Sequence, residues 1–244
     1  ALSVIANSSD QTVRVPGTMK PHSIAMHPSP KLSVVAGWRS PVTGKLKITG
    51  GVQDVHTACG NGVTWSLQHR HGNARHVLAS GTTKADRVSD FGSHWDIRVE
   101  QGDVISVVVS PGNADHTCDL TAVELVLNDG TREWSLAKEV SSDILAGNPQ
   151  ADSHGNKEVW HFFSETAESS ELAGVPKGSL LARWRETKDA GERHRLATQI
   201  RELLQSDIKT VSVSSPEHAL HQQLLASAGP LLGSALRATK LGAD

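Results

Sequence analysis

Short apolar runs separated by turn residues dominate the first half of the chain. Over residues 31–128 the runs are rich in Val, Ile and Trp, and Gly, Asn, Asp or Pro interrupts them about every ten residues. Alternation is clear where Leu46 and Ile48 fall on one side of a run and Lys45 and Lys47 on the other. The pattern predicts the strands of a β-sandwich at 32–38, 44–52, 62–70, 75–81, 94–99, 103–110 and 120–128.

The hydrophobic period lengthens towards the C-terminus. Ser179 is a candidate N-cap for a long helical stretch, in which Gly191 indicates either a kink or a break between two helices. A further helix is expected to begin with Ser215 as its N-cap and Pro216 at its first position. We therefore predict a mainly β fold, with a β-sandwich domain at 1–135, an irregular connecting segment at 136–178 and an α-helical region at 179–244.

The charge balance argues against two classes of partner. Lys and Arg total 24 against 26 Asp and Glu, which gives a formal net charge of −2. A nucleic-acid binder held by phosphate contacts needs a strongly basic face, and a polybasic membrane-surface segment needs clustered cations. No apolar run approaches the roughly 18 residues that a membrane-spanning helix requires. We expect neither a nucleic-acid partner nor a membrane span.

Two cysteines lie beside histidines at the ends of predicted strands. Cys59 follows His56 by three residues, and Cys118 follows His116 by two. The cysteines could form a disulfide, remain free, or join the two histidines as the ligands of a tetrahedral zinc site. The spacing fits no standard zinc finger, and long-range disulfides are common in extracytoplasmic domains. We therefore predict a disulfide between Cys59 and Cys118 and an extracytoplasmic location.

Carboxylates gather near the same predicted strand ends. Asp54, Asp115 and Asp119 could supply oxygen ligands to a calcium ion held by loops at the edge of the sandwich. Asp residues also occupy turns for local reasons, because their side chains bond the nearby backbone. The turn role is the favoured interpretation, and calcium is the metal alternative.

Exposed aromatic residues in a β-sandwich can stack on sugar rings. Trp38 and Trp65 are predicted to be core residues, whereas Trp95 lies between the polar residues His94 and Asp96. Trp95, His94 and Asp96 are therefore the candidate ligand-binding residues, and carbohydrate is the candidate ligand.

Catalytic motifs are absent from the sequence. It contains no nucleophile elbow, zinc-protease motif or phosphate-binding loop. His69, His71 and His76 fall in the turn-like stretch HRHGNARH (69–76). We interpret them as solvated loop residues. An enzyme would need residues assembled in space, so a non-catalytic role is favoured.

Four segments resemble a region of the large secreted proteins of the planctomycete cytochrome c-associated families. They are WRSPVTGKLKITGGV (38–52), CGNGVTWSL (59–67), QGDVISVVVSPGNADHTCDLTAVEL (101–125) and LAGNPQADSHGNKEVWHFF (145–163), of which the last is the most specific. The similarity covers about residues 15–205. It implies a jelly-roll or galactose-binding type of β-sandwich and an extracytoplasmic location. This chain lacks the haem-attachment motif C-x-x-C-H, so haem chemistry is not carried over.

Three functions follow from these features. The first is an extracytoplasmic binding or accessory module for carbohydrate or another surface polymer. The second is a structural region that contacts other domains of a larger secreted haem-bearing protein, with Trp160, Phe162 and Phe163 exposed as a contact patch. The third is a polysaccharide-active enzyme, which would need two carboxylates, or a histidine and a basic partner, facing each other across a cleft.

Overall fold

The predicted sandwich and the helices that follow it are both present. A computed structural model describes residues 2–72, 74–84, 87–113, 115–167, 176–227 and 237–241. The strands are β1 (Ser3–Asn7), β2 (Val13–Val15), β3 (Gly17–Met19), β4 (Ser23–His27), β5 (Leu32–Arg39), β6 (Gly44–Asp54), β7 (Val63–His71), β8 (Ala74–Thr83), β9 (Val88–Asp90), β10 (His94–Val99), β11 (Val104–Pro111), β12 (Thr121–Asn128), β13 (Glu133–Ser135), β14 (Trp160–Thr166) and β15 (Arg237–Leu241). The helices are α1 (Leu136–Val140), α2 (Leu180–Glu186), α3 (Ala190–Gln205), a 3-10 turn (Ile208–Thr210) and α4 (Pro216–Ser227).

Two sheets form the sandwich. The eight-stranded sheet has the order β10-β6-β12-β4-β1-β15, with β9 paired to β6 and β13 to β12. The five-stranded sheet has the order β14-β5-β11-β7-β8, and β2 and β3 form a separate hairpin. The pairing of β1 with β15 is parallel, whereas the other pairs between these strands are antiparallel.

The core lies between the inner faces of the two sheets. Along β12, Val123, Leu125 and Leu127 are buried and alternate with more exposed residues, as the period of a strand requires. Trp38 and Trp134 are fully buried, and their rings meet edge to face at 5.0 Å between centroids. The interior therefore rests on large aromatic side chains as well as on aliphatic ones.

The described parts of the segment 136–178, residues 136–167 and 176–178, contain more regular structure than we expected. It contributes α1 and also β14, which pairs with β5 as an edge strand of the five-stranded sheet. Trp160 is fully buried, Phe162 is 2% exposed and Phe163 is half-buried, so the three do not form an exposed aromatic patch. We predicted an irregular segment because a Gly- and Asn-rich stretch precedes Trp160. The prediction was wrong because β14 forms by pairing with β5, which is distant in the sequence.

The helical region agrees with the predicted break and caps. The two predicted caps are present, because Ser179 accepts from the Ala182 N–H at the start of α2 and Ser215 Oγ accepts from the His218 N–H at the start of α4. Asp189, which was not predicted as a cap, caps α3 by accepting from the Glu192 N–H. The region also contains strand β15, which an all-helical prediction omitted. None of the helices in the described ranges has the length and apolar character needed to cross a membrane.

Candidate binding site

An open cleft lies at the end of the sandwich where β7 finishes and β11 begins. Because β7 and β11 are antiparallel, with Arg70 opposite Val104, the last residues of β7 lie beside the first of β11. The start of β6 and the end of β10 close the other side. The cleft has a volume of about 660 Å³. We call it the histidine cleft, and its lining residues are Thr43, Gly44, Lys45, His69, His71, His76, Arg98, Val99, Glu100 and Asp103.

A buried carboxylate organises the histidines. His69 and His71 lie on the same side of β7 as the buried Leu67, because residues two apart on a strand share a face. Asp103 is 5% exposed, and its two carboxylate oxygens lie 2.8 Å from His69 Nε2 and 2.7 Å from His71 Nδ1. The carboxylate also accepts the Glu100 backbone N–H at 3.0 Å. Both rings therefore present a donor to one anion.

This network moves two pKa values in opposite directions. Burial alone would raise the pKa of Asp103, but the Glu100 N–H and the two histidine rings stabilise the charged form and lower it overall. The pKa of His71 is raised by its hydrogen bond to Asp103, then by the charge of that carboxylate and of Glu100. His71 therefore stays protonated to a higher pH than a free histidine.

Two cationic residues also line the histidine cleft. Arg98 and Lys45 are opposite each other in the register of β10 and β6. Lys45 Nζ lies 3.1 Å from a carboxylate oxygen of the exposed Asp96. Arg98 has no ion-pair partner among the described residues. The histidine cleft is therefore lined both by this arginine and by a protonatable histidine.

Trp95 is exposed, as its polar neighbours suggest, but those neighbours face other partners. Its side chain is 62% exposed, and Lys47 Nζ lies 3.9 Å from the ring centroid. His94 Nε2 lies 2.8 Å from the carbonyl oxygen of Phe91, and Asp96 pairs with lysine instead of flanking the indole. His94 and Asp96 therefore each have a partner other than Trp95, and Trp95 is the member of the trio that offers an exposed aromatic surface.

The opposite end of the sandwich carries the cysteines. Cys59 precedes β7 and Cys118 follows β11, and the two form the predicted disulfide with a Cα separation of 5.6 Å. His56 supplies a nitrogen within 4.8 Å of both sulfurs. His116 is outside that group and packs edge to face against His27 at 5.9 Å between ring centroids. The four-ligand zinc set was therefore wrong in including His116, and bonded sulfurs are not the thiolates that zinc needs.

The three carboxylates at the cysteine end do not fit a calcium site. Asp54 accepts the His56 N–H at 2.9 Å, and Asp115 accepts the Thr117 N–H at 2.9 Å, as turn residues do. Asp119 is 1% exposed, and neither carboxylate oxygen has a hydrogen-bond partner among the residues that the structure describes. Burial, followed by the charges of Asp115 and Asp54, raises the pKa of Asp119 to about 7. In the described ranges the three side chains do not bring ligand atoms within 4.8 Å of one another.

The histidine cleft was missed by sequence reasoning. The prediction that His69, His71 and His76 are loop residues was wrong, because they belong to β7 and β8, although His71 and His76 are exposed to solvent. The available signal was the spacing of His69 and His71, which places both on one face if β7 extends past Arg70. Their common partner Asp103 is 34 residues from His69, so no local pattern could indicate it.

Three comparisons, with protein-family models, curated proteins and solved structures, find nothing that matches this chain. The resemblance to planctomycete cytochrome c-associated proteins therefore stays a prediction. The chemistry of the histidine cleft is the basis for a functional proposal.

Proposed function

We propose that this protein is a non-catalytic, extracytoplasmic binding module for an acidic carbohydrate. The observation that carries the proposal is the histidine cleft, where protonatable His71 and unpaired Arg98 lie at one end of a β-sandwich. A sugar carboxylate suits this pair, because a guanidinium binds a carboxylate through two parallel hydrogen bonds and an imidazolium adds a third donor.

Trp95 supports a sugar polymer as the source of the carboxylate. It belongs to β10, the same strand as Arg98, and it leaves an indole largely open to solvent. The CH groups of a pyranose ring stack on indole faces, and Lys47 over the ring can turn towards an anionic substituent. A chain of acidic sugars could then contact the tryptophan and the cleft together.

The disulfide supports the extracytoplasmic part of the proposal. Long-lived disulfides form in oxidising compartments and are rare where thiol reductants are abundant. Polysaccharides are abundant partners outside the cytoplasm, so location and ligand class agree.

Affinity electrophoresis in gels containing polygalacturonate or neutral dextran tests the proposal. We expect retardation by polygalacturonate, none by dextran, and a loss of affinity of about tenfold or more in Arg98→Ala, because a charge-assisted hydrogen bond is worth about 1.5–3 kcal/mol. Arg14→Ala is the matched control, because Arg14 is an exposed arginine that lies far from the histidine cleft. It belongs to the β2–β3 hairpin, which is hydrogen-bonded to Val55 near the cysteine end. Equal retardation of both variants would reject the cleft as the site.

A uronate-cleaving enzyme is the second candidate, and one observation favours it. His71 is held by the buried Asp103 and lies in one cleft with Arg98, which is the arrangement of an oriented base beside a cation. Incubation with polygalacturonate would give unsaturated sugars that absorb ultraviolet light if the cleft abstracts a proton. The binding-module proposal predicts no such product, and its appearance in the wild type but not in His71→Ala would replace that proposal.

The buried positions of Trp160 and Phe162 count against the structural-region alternative. That alternative depended on an exposed aromatic patch, whereas β14 uses these side chains within the sandwich. A self-contained module is the simpler interpretation.

A further inference from the structure

The cysteine end holds three metal-ligand side chains around one point. A histidine nitrogen of His56 and the sulfurs of Cys59 and Cys118 all lie within 4.8 Å of one another. Two thiolates and one imidazole form a common zinc ligand set, with a fourth position available for water or another ligand. While the sulfurs are bonded to each other, they cannot act as thiolate ligands. The redox state of the pair therefore decides whether the ligand set exists.

Contacts other than the disulfide hold the two cysteine loops in place. The Val55 N–H donates to the Leu120 carbonyl at 2.9 Å, which ties the strand before the first loop to the residue after the second. Asn61 Nδ2 donates to the Gly112 carbonyl at 2.5 Å. Gly60 has a φ of +90°, and a Cβ there would collide with the Thr117 carbonyl. These links predict that the three ligands stay close after the S–S bond is broken.

A buried carboxyl group lies beside the cysteine pair, and a bound cation would offset its charge as well as the charges of two neighbouring thiolates. Asp119 follows Cys118 directly and is buried, and its carboxylate oxygens accept no hydrogen bond from the described part of the chain. Burial disfavours the charged form of this carboxyl group, and a nearby positive charge would stabilise that form. A divalent ion at the cysteine pair would supply that charge.

The disulfide is also open to attack from one side. Cys59 is exposed, whereas Cys118 is 9% exposed, so a reductant can reach the Cys59 sulfur. A two-electron thiol or phosphine reductant breaks the S–S bond and leaves two thiols. A phosphine is oxidised to its oxide with oxygen from water, which also provides the two thiol protons. Zinc binding then displaces both protons from the thiols.

We propose that reduction of the Cys59–Cys118 disulfide creates a Zn²⁺ site with His56, Cys59 and Cys118 as ligands, so that the disulfide is a redox switch for metal binding. The site lies at the opposite end of the sandwich from the histidine cleft, so its test is independent of the proposed carbohydrate function. It differs from the zinc alternative named in the sequence analysis by excluding His116 and by requiring a change of redox state.

Cobalt titration of the full chain tests this proposal, because Co²⁺ bound to thiolates has an intense charge-transfer band that Zn²⁺ abolishes by displacement. Protein reduced anaerobically with a phosphine should bind one Co²⁺ per chain with this band, and oxidised protein should show none. His56→Ala should weaken binding about tenfold or more, whereas the matched variant His116→Ala should stay within about twofold of the wild type.

Several results would overturn the proposal. They are the absence of the thiolate band in reduced protein, equal affinity in His56→Ala and the wild type, or a larger loss in His116→Ala than in His56→Ala. Circular dichroism of the reduced protein monitors folding, and loss of the native spectrum before metal is added would also count against it. The Cys59→Ala/Cys118→Ala double variant should keep the native spectrum and show no band, which separates the site from adventitious metal.

Discussion

Replacing Asp103 by Asn tests whether its charge holds the histidine cleft together. The asparagine has nearly the same shape but only one acceptor oxygen, so one of the two histidine N–H groups loses its partner. A hydrogen bond to a charged group contributes about 1.5–3 kcal/mol, and that is the expected loss in the free energy of unfolding. With a urea m-value of about 3 kcal/mol/M, the midpoint should fall by about 0.5–1 M.

The pH dependence of this loss follows from the two pKa shifts. The lowered pKa of Asp103 gives stability that is present above the ordinary value of about 3.9 and is lost as pH falls through the lower folded value. The raised pKa of His71 gives stability that is present below about 6.5 and is lost as pH rises through the higher folded value. Asp103→Asn should therefore destabilise most between about pH 4 and 6.5.

Urea unfolding followed by tryptophan fluorescence at several pH values measures both effects. Asp96→Asn is the control, because Asp96 is exposed, its ion pair with lysine is worth little, and Asn tolerates its φ of 60°. The control should change stability by less than about 0.5 kcal/mol. An unchanged midpoint in Asp103→Asn, or a loss that is the same at all pH values, would refute the charge-based account of the network.

Four further changes should alter stability in ways that thermal or urea unfolding can measure. Asp152→Ala should cost about 3 kcal/mol, because the buried carboxylate accepts from Trp134 Nε1 at 2.8 Å and from nearby N–H groups; a loss below about 1 kcal/mol would contradict this. Glu165→Gln should lower the free energy of unfolding by about 3 kcal/mol, because Arg70 and Arg75 lose their buried anion. A smaller loss that is the same in high and low salt would count against this prediction. Reducing the disulfide should cost about 4 kcal/mol in the chain-entropy model, given its separation of 59 residues, whereas an unchanged melting temperature would oppose it. The raised pKa of Asp119 predicts that stability declines as the pH rises from about 4 to about 7, because only the folded protein keeps the proton of this carboxyl group there. Asp119→Asn should make this decline less steep, and a decline as steep as in the wild type would disprove the assignment.

Local patterns accounted for the middle of the sandwich and failed at its margins. The strand at 94–99 has the predicted bounds, and the other six predicted strands differ by a few residues, because alternation and turn residues are local signals. The strands β1 to β4 have only three to five residues each, too few for a period to stand out. Strand β14 depends on pairing with β5, a contact between residues that are far apart in the chain.

The two ends of the sandwich show the same division. The Cys59–Cys118 bond was predictable because each cysteine lies where a loop meets a predicted strand, and neighbouring strands bring such positions together. The histidine cleft was not predictable, because it depends on the register that places Asp103 beside both His69 and His71. Trp95 illustrates an intermediate case, since its exposure follows from its polar neighbours but the position of Lys47 over its ring does not.

An NMR titration with a short galacturonate oligomer tests the central claim most directly, because it reports the site and the ligand class together. We expect the largest chemical-shift changes at the ring of His71, the guanidinium of Arg98 and the indole N–H of Trp95. Binding should weaken as the pH rises through the raised pKa of His71, because the imidazolium is then lost. The same titration with a neutral oligomer should leave these signals unchanged. Shifts confined to the cysteine end, or no shifts at any concentration, would contradict the assignment of the histidine cleft as an acidic-carbohydrate site.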